Sequence, residues 1–401
     1  MRICVVIPTY WTSKNPAIKQ QRPIATYDHP TAVESLSTLP RLLDSLKETD
    51  LPSESTTIFV TVATTHQAVE KKASEMTKEI LKGYEGNFEI DQFSSSTLKR
   101  LNSEDKTLAR LVNMSGYSNV RNVGLAISQI MNADILYFLD DDVVISDKHN
   151  FQKIQQFAGK EIGGKLLGGV AGYYVNEKGD YYLNVDPARW WKTGWPKERK
   201  MNEAFKILQS RERLTDTTFA FGGCMVLHWK MFEKIPFDPS ISRGEDMDLL
   251  VNAKMHGFAF KLDTELKVVH IPGEGKNQWS EMRQDLGRFL YMRQKLLLLN
   301  NVRNVENVSI DSLKPYPGHF LIQRTWLNFA ASSCLESLHS VLEGDRRSFA
   351  EFMQNIQQIP SGLRFARRHC AEYSDFQKKW SEHVPKIRYN RKLKSILKSQ
   401  L

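Results

Sequence analysis

The 401-residue chain has few cysteines: Cys4, Cys224, Cys334 and Cys370 are widely spaced and form no CxxC pair. Neither a disulfide framework nor a cysteine zinc site is indicated, and a reducing cytoplasm fits best. It also lacks any apolar run of about 18 residues; the greasiest patch, Leu296 to Leu299, is far too short to span a bilayer. The opening MRICVVIPTY runs straight into proline and polar residues with no small-residue cleavage site, so a buried strand is expected there, not a signal peptide. There is no internal repeat, no low-complexity tract and no recognisable nucleic-acid-binding motif.

What is present is a globular composition, 41% apolar and 25% charged, at a length that favours two or three domains over one. Lysine and arginine number 55 against 46 acids, a net charge of +9. The excess favours anionic partners: phosphates, nucleotides, nucleic acid or an anionic membrane surface.

Short β-branched runs alternate with helical patterns in the N-terminal part, which is the mark of an α/β fold with a mostly parallel sheet covered by helices. Strands are expected at Ile3 to Ile7, Ile58 to Ala63, Ile135 to Leu139, Phe219 to Leu227 and Lys267 to Ile271. Helices are expected at Leu36 to Leu46, Asn119 to Met131 and Asp246 to His256, the last ended by Gly257. From Ser280 onward the pattern is helical: Ser280 to Asn300, His319 to Leu342, Arg346 to Ile359 and a basic tail. Polar residues with Pro315 and Pro317 mark a boundary, giving an α/β domain at 1–304 and a helical accessory region at 305–401.

Three consecutive acids, Asp140, Asp141 and Asp142, follow the apolar strand Ile135 to Leu139. Ligands of open α/β sheets bind outside the carboxyl ends of the strands, and hard oxygen donors there suit Mg²⁺ or Mn²⁺. A solvated acidic turn is the structural alternative. A second cluster, Arg243-Gly-Glu-Asp-Met-Asp248, opens a helix, where Glu245 or Asp246 could equally serve as caps. Gly222 and Gly223 would let a substrate approach the backbone, or form a bulge. His270 ends a strand-like run, where a histidine is usually structural. Trp190, Trp191 and Trp195 sit in a loop-like segment, suited either to stacking on sugars or to a satellite apolar cluster. The tail from Lys386 carries basic residues with Ile387, Leu393, Ile396 and Leu397 in a partly amphipathic pattern. It suits either an anionic membrane or a solvated helix end.

Taken in order, these elements resemble glycosyltransferase family 2 and its relatives with the GT-A fold, over about residues 1–300. VVIPTY at Val5 to Tyr10 is similar to the family's first nucleotide-binding strand, and SNVRNVGLA at Ser118 to Ala126 to its Arg-Asn-x-Gly helix. ILYFLDDDV resembles the strand carrying the DXD motif. FGGCMVL at Phe221 to Leu227, GEDMDL at Gly244 to Leu249 and His270 resemble the acceptor segment, the ED motif and the metal-binding histidine. Arg288 to Arg293 resembles a tyrosine and arginine segment found after that histidine in members that build surface polysaccharides.

The resemblance implies that Pro8, Thr9, Tyr10, Arg121, Asp140, Asp141, Gly222 and Gly223 contact a nucleotide-sugar donor, and that Asp142, Asp140 and His270 bind Mn²⁺ or Mg²⁺. It implies Asp246 as the base that deprotonates the acceptor hydroxyl, Glu245 as an orienting group, and an inverting transfer. Trp190, Trp191 and Trp195 would face the acceptor, a glycan, glycolipid or small hydroxyl compound. A retaining synthase of small glycosides, or a noncatalytic sugar-binding scaffold, are the alternatives. Two features depart from the family: no acid follows the second strand in Thr61 to His66, and Trp11 to Ser35 reads as an insertion beside the nucleotide site.

Overall fold

The computed structural model describes residues 1–185, 194–271, 278–303 and 305–398. Its strands are β1 (Ile3–Thr12), β2 (Thr31–Ala32), β3 (Thr56–Thr64), β4 (Glu89–Phe93), β5 (Ile135–Leu139) and β6 (Val143–Val144). They continue as β7 (Glu161–Ile162), β8 (Lys165–Val175), β9 (Leu214–Asp216), β10 (Cys224–His228) and β11 (Ala259–His270). The main sheet runs β4-β3-β1-β5-β10-β8-β11-β6. The strands β4, β3, β1 and β5 are parallel, and β10 runs antiparallel to both β5 and β8. Because β8 again runs with β5, and β11 with β8, the carboxyl ends of β1, β5, β8 and β11 reach one edge, where β10 begins.

The period of two along β1 sorts its side chains between two apolar layers. Ile3, Val5 and Ile7 pack with Leu39, Leu42, Leu43 and Leu46 of the helix Leu39–Lys47, while Cys4 and Val6 face the helix Tyr117–Ile130. That second helix is buried along most of its length. A Cβ at its Gly124 would lie 2.7 Å from the Phe138 ring, so only glycine lets it approach the sheet. On the same face the apolar cluster continues into the terminal helices through Trp380, Val384, Leu393 and Leu397. Trp380 donates to the Phe232 carbonyl at 2.9 Å and Tyr373 to that of Pro236 at 3.1 Å. The mostly parallel sheet with helices on both faces and a helical C-terminal region is the expected fold class.

Several boundaries differ from expectation. Leu36 stands 96% exposed, and the helix begins at Leu39 with a proline in its first turn. Phe219 to Gly223 is not strand; only Cys224–His228 pairs, and the preceding backbone turns so that the Gly222 carbonyl accepts from Arg121 and the Gly222 N–H donates to Asp246. The last strand is much longer than Lys267 to Ile271, and the helix Arg324–Leu342 starts after a 3-10 turn at Gly318–Leu321. The helix Arg346–His369 passes through Pro360, held by burial of Phe352 and Ala366 on either side. In the basic tail, Leu393 and Leu397 of the helix Arg391–Lys398 are fully buried, and this helix lies against Ser95–Glu104. The apolar stripe offered to a membrane is therefore already covered by protein. Among the described residues no helix is long and apolar enough to cross a membrane.

Candidate active site

At the strand-end edge lies a cleft of about 570 Å³, lined among others by Tyr10, Arg121, Asp140, Asp141, Asp142, Tyr174, Gly222, Glu245, Asp246 and His270. The ladder explains how distant residues meet. β11 pairs antiparallel with β6, setting His270 opposite Val143, and the Ile271 N–H donates to the Asp142 carbonyl at 2.9 Å. That register brings His270 Nε2 to 3.3 Å from Asp142 Oδ2. Burial alone would lower the His270 pKa; hydrogen bonding and charge from Asp142, then Asp140, outweigh it and raise it.

Tyr174, which the sequence did not single out, organises this corner. Its ring stacks on His270 at a 4.8 Å centroid separation and 18°. Its hydroxyl donates to Asp140 Oδ2 at 2.8 Å and accepts the Gly223 N–H at 2.9 Å. Asp140 Oδ1 accepts from Arg121 Nη2 at 3.0 Å. Each Asp140 oxygen thus already accepts one hydrogen bond from the protein. Asp141 is pushed well above the carboxylate range by burial, then by Asp142 and Asp140. Among the described residues no group of three or more His, Cys, Asp or Glu is arranged to hold a metal ion. The pair Asp142 and His270 fits a hard divalent cation only with substrate oxygens completing the shell, the usual state of Mg²⁺ beside phosphates.

Arg121 is expected to grip a donor, yet it is buried and committed to the protein. Nε donates to Glu245 Oε1 at 2.9 Å and Nη1 to the Gly222 carbonyl at 2.9 Å, besides the Asp140 bond. It joins the two acidic clusters as a rigid cross-link. The glycines follow from this packing: a Cβ at Gly222 would lie 2.4 Å from Arg121 Nη2, and one at Gly223 2.3 Å from Asp140 Cγ. They make room for the chain's own side chains, a closer reason than substrate approach.

Glu245 and Asp246 open the helix Glu245–Met255 after Gly244, which takes φ 76°. Asp246 Oδ2 accepts the Gly222 N–H at 3.0 Å and Oδ1 accepts that of Met247 at 2.7 Å. Burial, then the Glu245 charge, push the Asp246 pKa up to about 7, against the opposing pull of the Met247 N–H, Arg121 and Arg288. A carboxylate poised near neutrality at a cleft suits proton transfer. Asp248 points elsewhere. Lys295 bonds it at 2.7 Å and Asp238 at 2.7 Å, tying this helix to Gln278–Leu299 in the interior.

Of the first-strand residues only Tyr10 lines the cleft; Pro8 is buried in β1. The Thr9 hydroxyl faces the other way, donating to the Thr61 carbonyl at 3.1 Å and accepting from Trp11 Nε1 at 3.1 Å. The expected insertion supplies a wall: the Tyr27 ring lies 4.4 Å from Tyr10 and 5.2 Å from Tyr117, with Asp28 in the lining. Trp190 and Trp191 lie outside the described residues. Trp195 is only 5% exposed and packs among Phe289, Phe320 and Phe329, so the satellite-cluster reading holds for it and it presents no face to an acceptor.

No protein-family model and no curated protein matches the chain. Solved structures overlap weakly with it. A mannosyltransferase, PcManGT from Pyrobaculum calidifontis in complex with GDP-Man and Mn²⁺, is 11% identical, with 95% of this chain and 87% of that chain covered and a TM-score of 0.48. S. aureus TarS 1-349 is 12% identical, covering 90% and 92%, with a TM-score of 0.45. The same TarS fragment in complex with UDP is 15% identical, covering 90% and 92%, with a TM-score of 0.36. At such identity and overlap the likeness assigns no role to any residue here.

Proposed function

We propose that the chain is an inverting glycosyltransferase of the GT-A type, moving a sugar from a nucleotide diphosphate donor to an acceptor hydroxyl. The observation that carries the reading is the presence in one cleft of two separate acidic functions: the Asp142–His270 pair and Asp246, whose pKa lies near neutrality. Transfer to a hydroxyl needs both a proton acceptor and a counter-charge for the leaving diphosphate.

In this reading Asp246 takes the acceptor's proton as the hydroxyl oxygen bonds to the anomeric carbon. The bond from that carbon to the diphosphate oxygen breaks, and its electron pair leaves with the diphosphate. Asp142 and His270 would hold Mn²⁺ or Mg²⁺, whose charge offsets the one developing on the leaving group. Arg121 fixes Glu245, and the Gly222 N–H occupies one lone pair of Asp246 Oδ2, so the base keeps its orientation while other lone pairs stay open. The Tyr10 and Tyr117 rings offer apolar faces to the nucleobase.

The test is hydrolysis of UDP-, GDP- and dTDP-sugars by the purified protein with Mn²⁺. Release of nucleotide from at least one donor, abolished by EDTA and restored by Mn²⁺, is expected. No release from any of them, or release indifferent to EDTA, would remove the reading.

A further inference from the structure

Three cations in the cleft have no task in the chemistry above: Lys197, Arg243 and Arg288. Arg288 abuts the residue before Glu245, since a Cβ at Gly244 would lie 2.4 Å from its Nη1. Asp246 and Arg288 are close enough for each charge to bear on the other. Lys197 Nζ and Arg288 Nη2 both reach Asp285 at 2.7 Å, and Arg243 Nε pairs with Asp28 at 3.1 Å. Glu198 and Glu281 also line this part of the cleft, so net charge alone decides nothing.

Unmet donors decide it. The Arg288 side chain is 8% exposed, and its Nε has no hydrogen-bond partner among the described residues; Arg243 Nη1 is buried in the same condition. Two buried guanidinium N–H groups without an acceptor among the described residues, both on residues lining one cavity, suit an oxygen-rich ligand; the Asp285 oxygens behind them are taken up in ion pairs with Lys197 and Arg288 at 2.7 Å while lacking a well-aligned donor. Guanidinium forks match phosphate and carboxylate geometry better than any neutral hydroxyl.

We propose that Arg288, Arg243 and Lys197 form an anion subsite beside Asp246 that takes a phosphate or carboxylate group carried by the acceptor. The acceptor assignment rests on the transferase reading: a base must meet the acceptor hydroxyl, and the donor diphosphate is assigned to Asp142 and His270. An anionic acceptor would be held with its hydroxyl toward Asp246.

Calorimetric titration of inorganic phosphate into the full chain in EDTA tests the subsite apart from any metal. Saturable binding is expected, weakened about tenfold or more in Lys197→Met and in Arg243→Gln and retained in Asp142→Asn. Arg288→Met is expected to lose it too; because Arg288 also holds Asp285 and Tyr316, the two milder variants keep the test decisive if that protein misfolds. Phosphate should still bind when Mn²⁺ with whichever of UDP, GDP or dTDP binds saturates the donor side. Absence of wild-type binding, equal affinity in the variants, or displacement by the Mn²⁺ nucleotide would each overturn the proposal. Failure of UDP, GDP and dTDP all to bind would refute the transferase reading and the acceptor assignment with it, whereas variant-sensitive phosphate binding would still establish the anion site.

Discussion

Two runs of acids meet the same cleft, Asp140 to Asp142 after β5 and Glu245 to Asp248 opening a helix, and the backbone sorts each run differently. In the helix, Glu245 and Asp248 are three residues apart and are paired, with Arg121 and with Lys295, while Asp246 between them lines the cleft with no cation bonded to it among the described residues. After the strand, Asp140 is tied to Arg121 and Tyr174, Asp141 lines the cleft beside the other two acids, and Asp142 meets His270. Each run thus yields one carboxylate free for chemistry and one locked through Arg121. Adjacent residues of one type receive opposite roles because their partners lie on different elements.

The largest effect of breaking this division is expected at Asp246. Asp246→Asn keeps the shape and loses the proton affinity, so transfer should fall about a hundredfold to ten-thousandfold with nucleotide affinity retained. In the wild type, transfer should rise with pH through about 7 as this base ionises. The same group bears on stability. Its proton is held more tightly in the fold than in the unfolded chain, so its stabilising contribution is complete below about pH 4 and lost as pH rises through about 7. Melting curves of Asp246→Asn should lack that component.

Next in size is the shared cross-link. Arg121→Met leaves Glu245 and Asp140 without their cation in a buried setting, which should cost about 3–5 kcal/mol in chemical denaturation. A cost near that of a surface pair would show that the two clusters are not joined through it. On the strand side, Asp142→Asn and His270→Ala should each weaken Mn²⁺ and nucleotide binding together, by about tenfold to a hundredfold in titration calorimetry. The smallest change is expected at Asp141→Asn, where one of three crowded carboxylates is removed: melting should shift by less than about 1 kcal/mol in equivalent stability.

Much of this was legible in the sequence. An apolar strand running into three aspartates, a histidine after a β-branched run and a Gly-Glu-Asp helix start each carry a local pattern, and all three reach the cleft. What was not legible depends on pairing across the sheet. Tyr174 lies in an unremarked Gly-rich strand, and only the β8–β10 ladder puts its hydroxyl between Gly223 and Asp140. Thr9 sits one residue from Tyr10, and the pleat sends it to the opposite face. Arg288 and Lys197 come from helices whose own patterns give no hint that Asp285 gathers them at one wall. Trp195 follows the same rule: aromatic residues in a loop-like stretch look exposed until the helices that cover them are in place.

The division between the two acidic runs is tested most directly by titrating the nucleoside diphosphate that binds, with Mn²⁺, into wild type, Asp142→Asn and Asp246→Asn on matched preparations. Affinity should fall at least about tenfold in Asp142→Asn and stay within about threefold of wild type in Asp246→Asn. Equal losses in both variants, or full affinity in Asp142→Asn, would contradict the assignment of the donor to the strand-end pair and of proton transfer to the helix.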